Sequence, residues 1–220
     1  MTTPRRQDFH ALVRDRRGVA FIEFAYTLPL LCAVTVAGLE MCNLALAHLK
    51  TQRLANMIAD MVAQRSGSSG GLNELQLNDI FQSAERTANP FDFKKHGRVV
   101  ITAAVGEDTD ADGAADRNTI KWQRLKGEYV EAAIELGCWE TATSASLPGG
   151  RQLTLNEPIY HAQVSYAYQP ILGGSLFGMF GIPGDVTKVS MFRSRGYFFK
   201  PILTVIGQPV RRVCATAEGT

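Results

Sequence analysis

An uncharged apolar run near the N-terminus constrains this chain more than any other feature of its sequence. Residues 24–39 carry no charged side chain, and leucine and valine fill much of the stretch. As a helix, these sixteen residues span about 24 Å, slightly less than a bilayer core, and residues 19–22 supply the missing turn. The longer stretch places Glu23 inside the membrane or at its edge, where a carboxylate is costly. We therefore predict a single membrane-spanning helix.

The charges around this helix set its expected orientation. Five arginines and two aspartates precede residue 19, for a net charge of +3, whereas only Lys50 and Arg53 follow soon after the helix. Under the positive-inside rule, the N-terminus lies in the cytoplasm, and residues after about 45 lie in the periplasm or outside the cell. A cleaved secretory signal is the alternative. One transmembrane and stalk helix over residues 19–65 fits better, because the apolar stretch continues without a break into a helical pattern.

Charge and motif content disfavour several classes of function. The net charge of +2 is close to zero, and basic residues form no stripe with interleaved aromatic residues, so we expect no nucleic-acid partner. The chain has no H-E-x-x-H, phosphate-binding loop or Cys-x-x-Cys motif, and we expect no enzyme activity. His161 is predicted to lie solvated on the polar face of a strand. Glu128, Glu131 and Glu135, at helical spacing, are typical of a solvated face.

The sequence beyond the stalk predicts an exported domain over residues 72–220. The glycine and serine run at residues 66–71 marks a flexible linker or a sharp turn before it. Helical spacing predicts a helix over residues 72–88, which ends at an Asn-Pro pair. Alternating β-branched and apolar residues predict strands over 98–105, 118–125, 159–168 and 187–193, with an extension of the last to residue 199 as an alternative. This order predicts an α+β domain with a small antiparallel sheet packed on helices.

The residues around the start of the first helix resemble a known processing motif. The run GVAFIEF, residues 18–24, is similar to the type IV prepilin processing site, where a basic leader ends in glycine and the mature chain has glutamate at its fifth position. The longer run RRGVAFIEFAYTLPLL, residues 16–31, resembles the TadE-like proteins, minor pilins or pseudopilins of the tight-adherence (Tad) pilus, a type IVc pilus. In that family Arg-Gly, Glu-Phe and Leu-Pro-Leu recur at this spacing. The resemblance covers residues 16–50.

The resemblance implies a role for each residue of the motif. Residues 1–18 would form a basic leader, and a prepilin peptidase would cut between Gly18 and Val19, where glycine lets the chain bind extended. Glu23 would pair with an N-terminal amine, its own or that of a neighbouring subunit, and Phe24 would supply packing. The implied function is a structural subunit at the initiation or the tip of a pilus for surface adhesion.

The resemblance also implies partners and a location. The partners would be other pilin and minor pilin subunits, the prepilin peptidase, the inner-membrane assembly platform and membrane lipid. The chain would lie in the bacterial inner membrane as a single-pass protein, with a cytoplasmic N-terminus and a periplasmic C-terminal domain. Association with the pilus would follow assembly.

Two cysteines fall in the predicted exported domain. Cys138 and Cys214 lie 76 positions apart, and in an oxidising compartment they favour a disulfide that ties down the C-terminal tail. The alternative is one buried and one free thiol. Cys32 and Cys42, in the first helix, are expected to be small packing residues.

An acidic run is the one candidate metal site. Asp108, Asp110 and Asp112, with Asp116 following, have the D-x-D-x-D-G start of a calcium loop. The twelfth position of an EF-hand count is Thr119 instead of glutamate, and strands are predicted on both sides, so an acidic, solvated hairpin tip is favoured over a calcium site. This loop also defines a second hypothesis, an uncleaved single-pass protein whose exported domain binds a ligand or a surface. Calcium is then its candidate cofactor, and otherwise we expect none.

Overall fold

The chain divides into two compact units, which a computed structural model describes over residues 18–171, 184–196 and 198–220. The units are Met1–Asn43 and Leu44–Thr220, and helix α1 (Val19–Gly67) contributes residues to both. The predicted leader, apart from residue 18, lies outside the described residues. The C-terminal unit thus includes the predicted stalk and the 66–71 segment as well as residues 72–220.

In the first unit, residues 19–43 of α1 expose large apolar side chains. Phe21 is 76% exposed and Tyr26 is 79% exposed. An 18-residue stretch of the helix has a mean hydropathy of 1.9 and no buried residue, so the helix is long and apolar enough to cross a membrane. The Thr35 hydroxyl donates to the Leu31 carbonyl oxygen at 2.8 Å, so this polar group is satisfied within the helix.

In the second unit, α1 joins the core through a row of small side chains. The members of this row recur every four residues and are each at most 3% exposed: Ala47, Thr51, Ala55, Ala59 and Ala63. Leu54, Ile58 and Val62 lie beside the row and are also buried. They share one apolar cluster with residues of the sheet and of the second helix, so this half of α1 is part of the domain core.

The connection after α1 is a tight turn. Ser66 is buried and donates its hydroxyl to the Ala63 carbonyl oxygen at 3.0 Å. The N–H of Gly71 donates to the Ser68 carbonyl oxygen at 3.1 Å, and the next residue, Leu72, is buried in the core. Residues 66 and 67 thus end α1, and the chain turns over residues 68–71.

Helix α2 (Glu74–Thr87) confirms the helix predicted over residues 72–88. Asn73 caps it, because its side-chain oxygen accepts a hydrogen bond from the N–H of Gln76 at 2.8 Å. Glu74, in the first turn, is 3% exposed and forms an ion pair with Arg124 at 2.5 Å. A buried charge pair therefore fixes the start of α2 to the sheet.

The four predicted strands are confirmed, and they form one antiparallel sheet in the order β2-β1-β3-β4. A four-residue helix, α3 (Phe93–His96), leads directly into the first strand. The strands are β1 (Gly97–Glu107), β2 (Arg117–Lys126), β3 (Pro158–Ala167) and β4 (Asp185–Arg193). β4 ends at Arg193, so the alternative extension to residue 199 is wrong over the described residues. Together with the helices, the sheet gives the predicted α+β class.

The two faces of the sheet differ in chemistry. One face is apolar and packs with α1 and α2 through residues such as Ile101, Trp122 and Tyr160. The other face carries polar side chains that are also buried, among them Gln123 and Gln163. The connection over residues 127–157 covers this polar face. It supplies the Ala133 carbonyl oxygen, which accepts from Gln163 Nε2 at 2.6 Å.

His161 corrects one prediction. It lies on the polar face as expected, but it is 1% exposed instead of solvated, because the 127–157 connection covers it. Its Nε2 lies 3.7 Å from a carboxylate oxygen of Glu135, and neither ring nitrogen has a hydrogen-bond partner among the residues described. Burial disfavours the charged ring and lowers the pKa of His161 to about 4.

Candidate functional site

Gly18 stands at the first hydrogen bond of α1. Its carbonyl oxygen accepts from the N–H of Ile22 at 3.1 Å, and Val19 is the first helical residue. The peptide bond between Gly18 and Val19 therefore lies at the helix boundary, where the first N–H groups have no partner within the helix. A Cβ added to Gly18 would meet no atom within 4 Å. Nothing in the described fold requires glycine at this position.

Glu23 is the one charged side chain between residues 18 and 39. It is exposed, as is Phe24 beside it, and residues 18–171, 184–196 and 198–220 give it no hydrogen-bond or ion-pair partner. A carboxylate in apolar surroundings is strongly disfavoured unless a positive group pairs with it. Val19 lies one helical turn before Glu23, so an amine at residue 19 would lie on the same face of the helix.

The disulfide joins two segments that lie along the outer edge of β2. Cys138 and Cys214 are bonded, with their Cα atoms 6.2 Å apart. The N–H of Ile120 donates at 2.7 Å to the segment that follows Cys138, and the N–H of Leu125 donates at 2.9 Å to the segment that precedes Cys214. Both linked segments therefore satisfy main-chain groups that an edge strand would otherwise leave unpaired.

Arg98 anchors the same region from β1. Its side chain is almost fully buried and donates from Nη1 to the Val130 carbonyl oxygen at 2.6 Å and from Nη2 to the Cys214 carbonyl oxygen. Burial lowers the pKa of Arg98. The Arg98 side chain thus binds both the C-terminal tail and the 127–157 connection, and it fixes these two segments next to each other.

The outer edge of β4 differs from that of β2. The Gly184 carbonyl oxygen accepts from the N–H of Tyr168 at 2.7 Å, so even-numbered residues of this strand bond to β3. The odd-numbered residues direct their N–H and C=O groups away from the sheet: Asp185, Thr187, Val189, Met191 and Arg193. Among these outward groups, the Val189 carbonyl oxygen accepts from Gln52 Nε2 at 3.5 Å. In the described part of the chain, β4 has β3 as its only neighbouring strand.

A groove of about 660 Å³ runs along this edge of β4. We call it the β4 groove. Gln52 of α1 lines one side, residues 129–135 line the other, and Lys188 and Val189 of β4 lie between them. The edge strand thus forms part of a concave surface.

The β4 groove is acidic. Three carboxylates line it, those of Glu131, Glu135 and Asp185, against the single cation of Lys188. Burial and a hydrogen bond to Asp185 raise the pKa of Tyr129 to about 12, so this lining residue is neutral at physiological pH. The groove therefore favours a positively charged occupant.

The acidic run forms the loop between β1 and β2. Asp108 accepts hydrogen bonds from the N–H groups of Ala111 at 2.6 Å and Gly113 at 2.8 Å, and these bonds lower its pKa. Carboxylate oxygens of Asp108, Asp110 and Asp112 lie within 4.8 Å of one another.

The fourth carboxylate of the run has another partner. Asp116 accepts from the N–H of Thr109 at 3.1 Å and is not part of the group of three. These hydrogen bonds are sufficient to fold the loop as a hairpin tip. Calcium binding by the loop stays a prediction.

The chain matches no protein-family model, no curated protein and no solved structure.

The structure brings some of the predicted site residues together and leaves others apart. It joins Cys138 to Cys214, it places Gly18 and Val19 at the start of α1, and it leaves Glu23 exposed one turn later. The β4 groove was not predicted. The only sign of it in the sequence was the spacing of the glutamates in residues 128–135, which is typical of a helix face. In the structure these residues lie in turns instead of on a helix.

Proposed function

We propose that this chain is a structural, non-enzymatic subunit, a TadE-like minor pilin or pseudopilin that takes part in the initiation or the tip of a Tad pilus. The observation that carries the proposal is the exposed apolar half of α1, which begins next to Gly18 and holds Glu23 as its single charge up to residue 39. A surface of this kind needs lipid or other apolar helices around it. A pilin-type helix has lipid around it before assembly and neighbouring subunits after it.

The proposed location is the bacterial inner membrane, with residues 19–39 spanning it. The arginine-rich leader favours a cytoplasmic N-terminus, which puts the unit Leu44–Thr220 in the periplasm. The Cys138–Cys214 bond supports this orientation, because disulfides persist in oxidising compartments. Cys32 and Cys42, in the first unit, are free.

Cleavage between Gly18 and Val19 would give Glu23 its partner. The cut creates an α-amine on Val19 that is largely protonated near neutral pH, at the N-terminus of a helix, where a positive charge is unfavourable. Pairing this amine with Glu23, in the same chain or in a neighbour, offsets both unfavourable charges. In an assembled bundle the pair would also fix the register between subunits.

The mature N-terminus tests the proposal. The full chain is coexpressed with a prepilin peptidase, and its intact mass is measured for the wild type, Gly18→Val and Gly38→Val. Gly38 is the matched control, because it lies in the same helix and an added Cβ there also meets no atom within 4 Å. We expect the wild type and Gly38→Val to lose residues 1–18, and Gly18→Val to keep them.

Two outcomes would contradict the proposal. One is a wild-type chain that keeps its leader while the same peptidase processes a major prepilin in parallel. The other is piliation that is unaffected by Gly18→Val. Either would favour the uncleaved single-pass protein whose exported domain binds a ligand or a surface.

The role of Glu23 has a separate test. Glu23→Ala removes the carboxylate without touching the cut site, so we expect processing to continue and the amount of assembled pili to fall strongly. Glu23→Asp is the control, since it keeps the charge. Sheared pili measured by immunoblot and electron microscopy give the readout, and normal piliation in Glu23→Ala would exclude this role.

A further inference from the structure

The two edge strands of the sheet differ in whether their outward main-chain groups have hydrogen-bond partners. At β2, the chain supplies two of its own segments and joins them through Cys138 and Cys214, and these segments accept hydrogen bonds from the outward N–H groups of Ile120 and Leu125. At β4, the outward N–H groups of Thr187, Val189 and Met191 have no partner among the residues that the structure describes. Unpaired edge groups are a template for an added strand.

The surroundings of the β4 edge fit one more strand. The β4 groove is bounded by α1 on one face of the sheet and by residues 129–135 on the other. Since side chains of a strand alternate between faces, a strand added here would direct every second side chain towards residues 129–135 and the others towards α1. The side chain of Thr187 lies on the face covered by residues 129–135, because its hydroxyl hydrogen-bonds with the Ser165 hydroxyl at 2.9 Å.

The charges of the two faces differ. Glu131, Glu135 and Asp185 line the groove on the side of residues 129–135, whereas Lys188 lies on the strand positions that face α1. An incoming strand with lysine or arginine at alternate positions would place each of these cations near a carboxylate. Uncharged or acidic residues suit the positions between them.

We propose that the outer edge of β4 binds an extended segment of a partner protein as a fifth strand, with basic residues at alternate positions facing Glu131 and Glu135. This interaction requires neither cleavage at Gly18 nor pilus assembly. It can therefore hold or fail independently of the function proposed above.

A synthetic peptide of sequence KTKVKTKV is the probe. Its binding to the full chain in a non-ionic detergent is followed by fluorescence anisotropy at low ionic strength. Two control peptides separate strand pairing from charge. One has the same composition in the block order KKKKTVTV, and the other is KTKVKTKV with N-methyl groups on alternate residues. We expect each control to bind at least about tenfold more weakly than KTKVKTKV. The block-order peptide loses the alternation of lysines, and the N-methylated peptide loses main-chain donors.

Two sets of variants test the site itself. Val189→Pro removes an outward N–H without touching the hydrogen bonds to β3, so we expect a folded chain that binds the probe at least about tenfold more weakly. Glu131→Gln combined with Glu135→Gln should weaken binding about fivefold, with a smaller effect at high salt. Glu128→Gln is the matched control, because Glu128 is exposed but does not line the groove, and it should bind as the wild type does.

Several results would overturn the proposal. These are no binding of KTKVKTKV, equal binding of the block-order or N-methylated peptides, or undiminished binding by Val189→Pro. The N-methylated peptide decides the case if Val189→Pro does not fold. Self-association without the peptide, abolished by Val189→Pro, would assign the edge to a second copy of this chain and would also overturn a basic partner.

Discussion

Residues 19–39 of α1 expose large apolar side chains, whereas residues 44–67 of the same helix bury a row of small side chains and the larger Leu54, Ile58 and Val62 beside it. Leu30 is 67% exposed and Leu39 is 62% exposed, while Ala55 and Ala59 in the later half are fully buried. Both halves are regular helix. The difference lies in what surrounds each half, because the later half shares a core with the sheet and the earlier half has no buried residue in its most apolar stretch.

This contrast shows that hydropathy and burial within the chain are separate properties. A helix of a water-soluble fold places one apolar face against its own domain, as residues 44–67 do with Leu54, Ile58 and Val62. Residues 19–39 are more apolar, and yet their large side chains are exposed in the described part of the chain, which is typical of a surface that contacts lipid or another molecule.

The largest expected effect is that of the disulfide. Cys138→Ser with Cys214→Ser opens a link between residues 76 apart, which should lower the free energy of unfolding by about 4 kcal/mol. Cys32→Ser with Cys42→Ser is the matched pair, and it should leave stability unchanged because both thiols are free. Urea denaturation of the full chain in detergent measures both. Equal stability of the two double variants would contradict the account.

The next effect comes from side-chain truncation in α1. Ile58 has no exposed surface, so Ile58→Ala should destabilise the C-terminal unit by about 3 kcal/mol. Leu31 is 64% exposed, and Leu31→Ala should change the same transition by less than about 0.5 kcal/mol. A comparable loss in both variants would mean that the two halves of α1 are not as different as their burial indicates.

Much of the fold could be predicted from these patterns. The strands lie within two residues of their predicted bounds, because alternating β-branched residues specify both the strand and its face. The Asn-Pro pair marks the end of α2 in the sequence, whereas the helix begins at Glu74, two residues after its predicted start. The burial of His161 could not be predicted, since it depends on the 127–157 connection. That connection has no periodic pattern, and single contacts such as that of Gln163 with Ala133 position it.

A smaller effect is expected from His161 as the pH falls. The folded chain has a pKa of about 4 for this group, against an ordinary value of 6.5, so between these values the unfolded state binds more protons. Stability is therefore full above pH 6.5 and decreases towards pH 4, by about 2 kcal/mol between pH 7 and pH 5. His161→Gln should show a smaller loss over this interval by thermal denaturation. His96→Gln, at the end of α3, is the control, and an unchanged pH dependence in His161→Gln would show that the ring is not buried.

The candidate sites were less predictable than the fold. The motif at Gly18 and Glu23 can be found in the sequence because its residues are adjacent in the chain. The β4 groove cannot, because it combines Gln52 from α1, residues 129–135 from a connection and an edge strand. Which strand becomes an open edge depends on where the tail and the disulfide lie, and neither follows from local sequence.

Cysteine accessibility tests the central claim most directly, namely that residues 19–39 lie in a membrane and the later unit lies outside the cytoplasm. A Cys42→Ser chain, which keeps Cys32, is compared in intact spheroplasts with a Cys32→Ser, Cys42→Ser, Gln64→Cys chain, using a membrane-impermeant maleimide. Both positions are exposed on α1. We expect Gln64→Cys to react at once and Cys32 to react only after the membrane is dissolved. Equal labelling of both thiols in intact spheroplasts, or labelling of neither, would contradict the account.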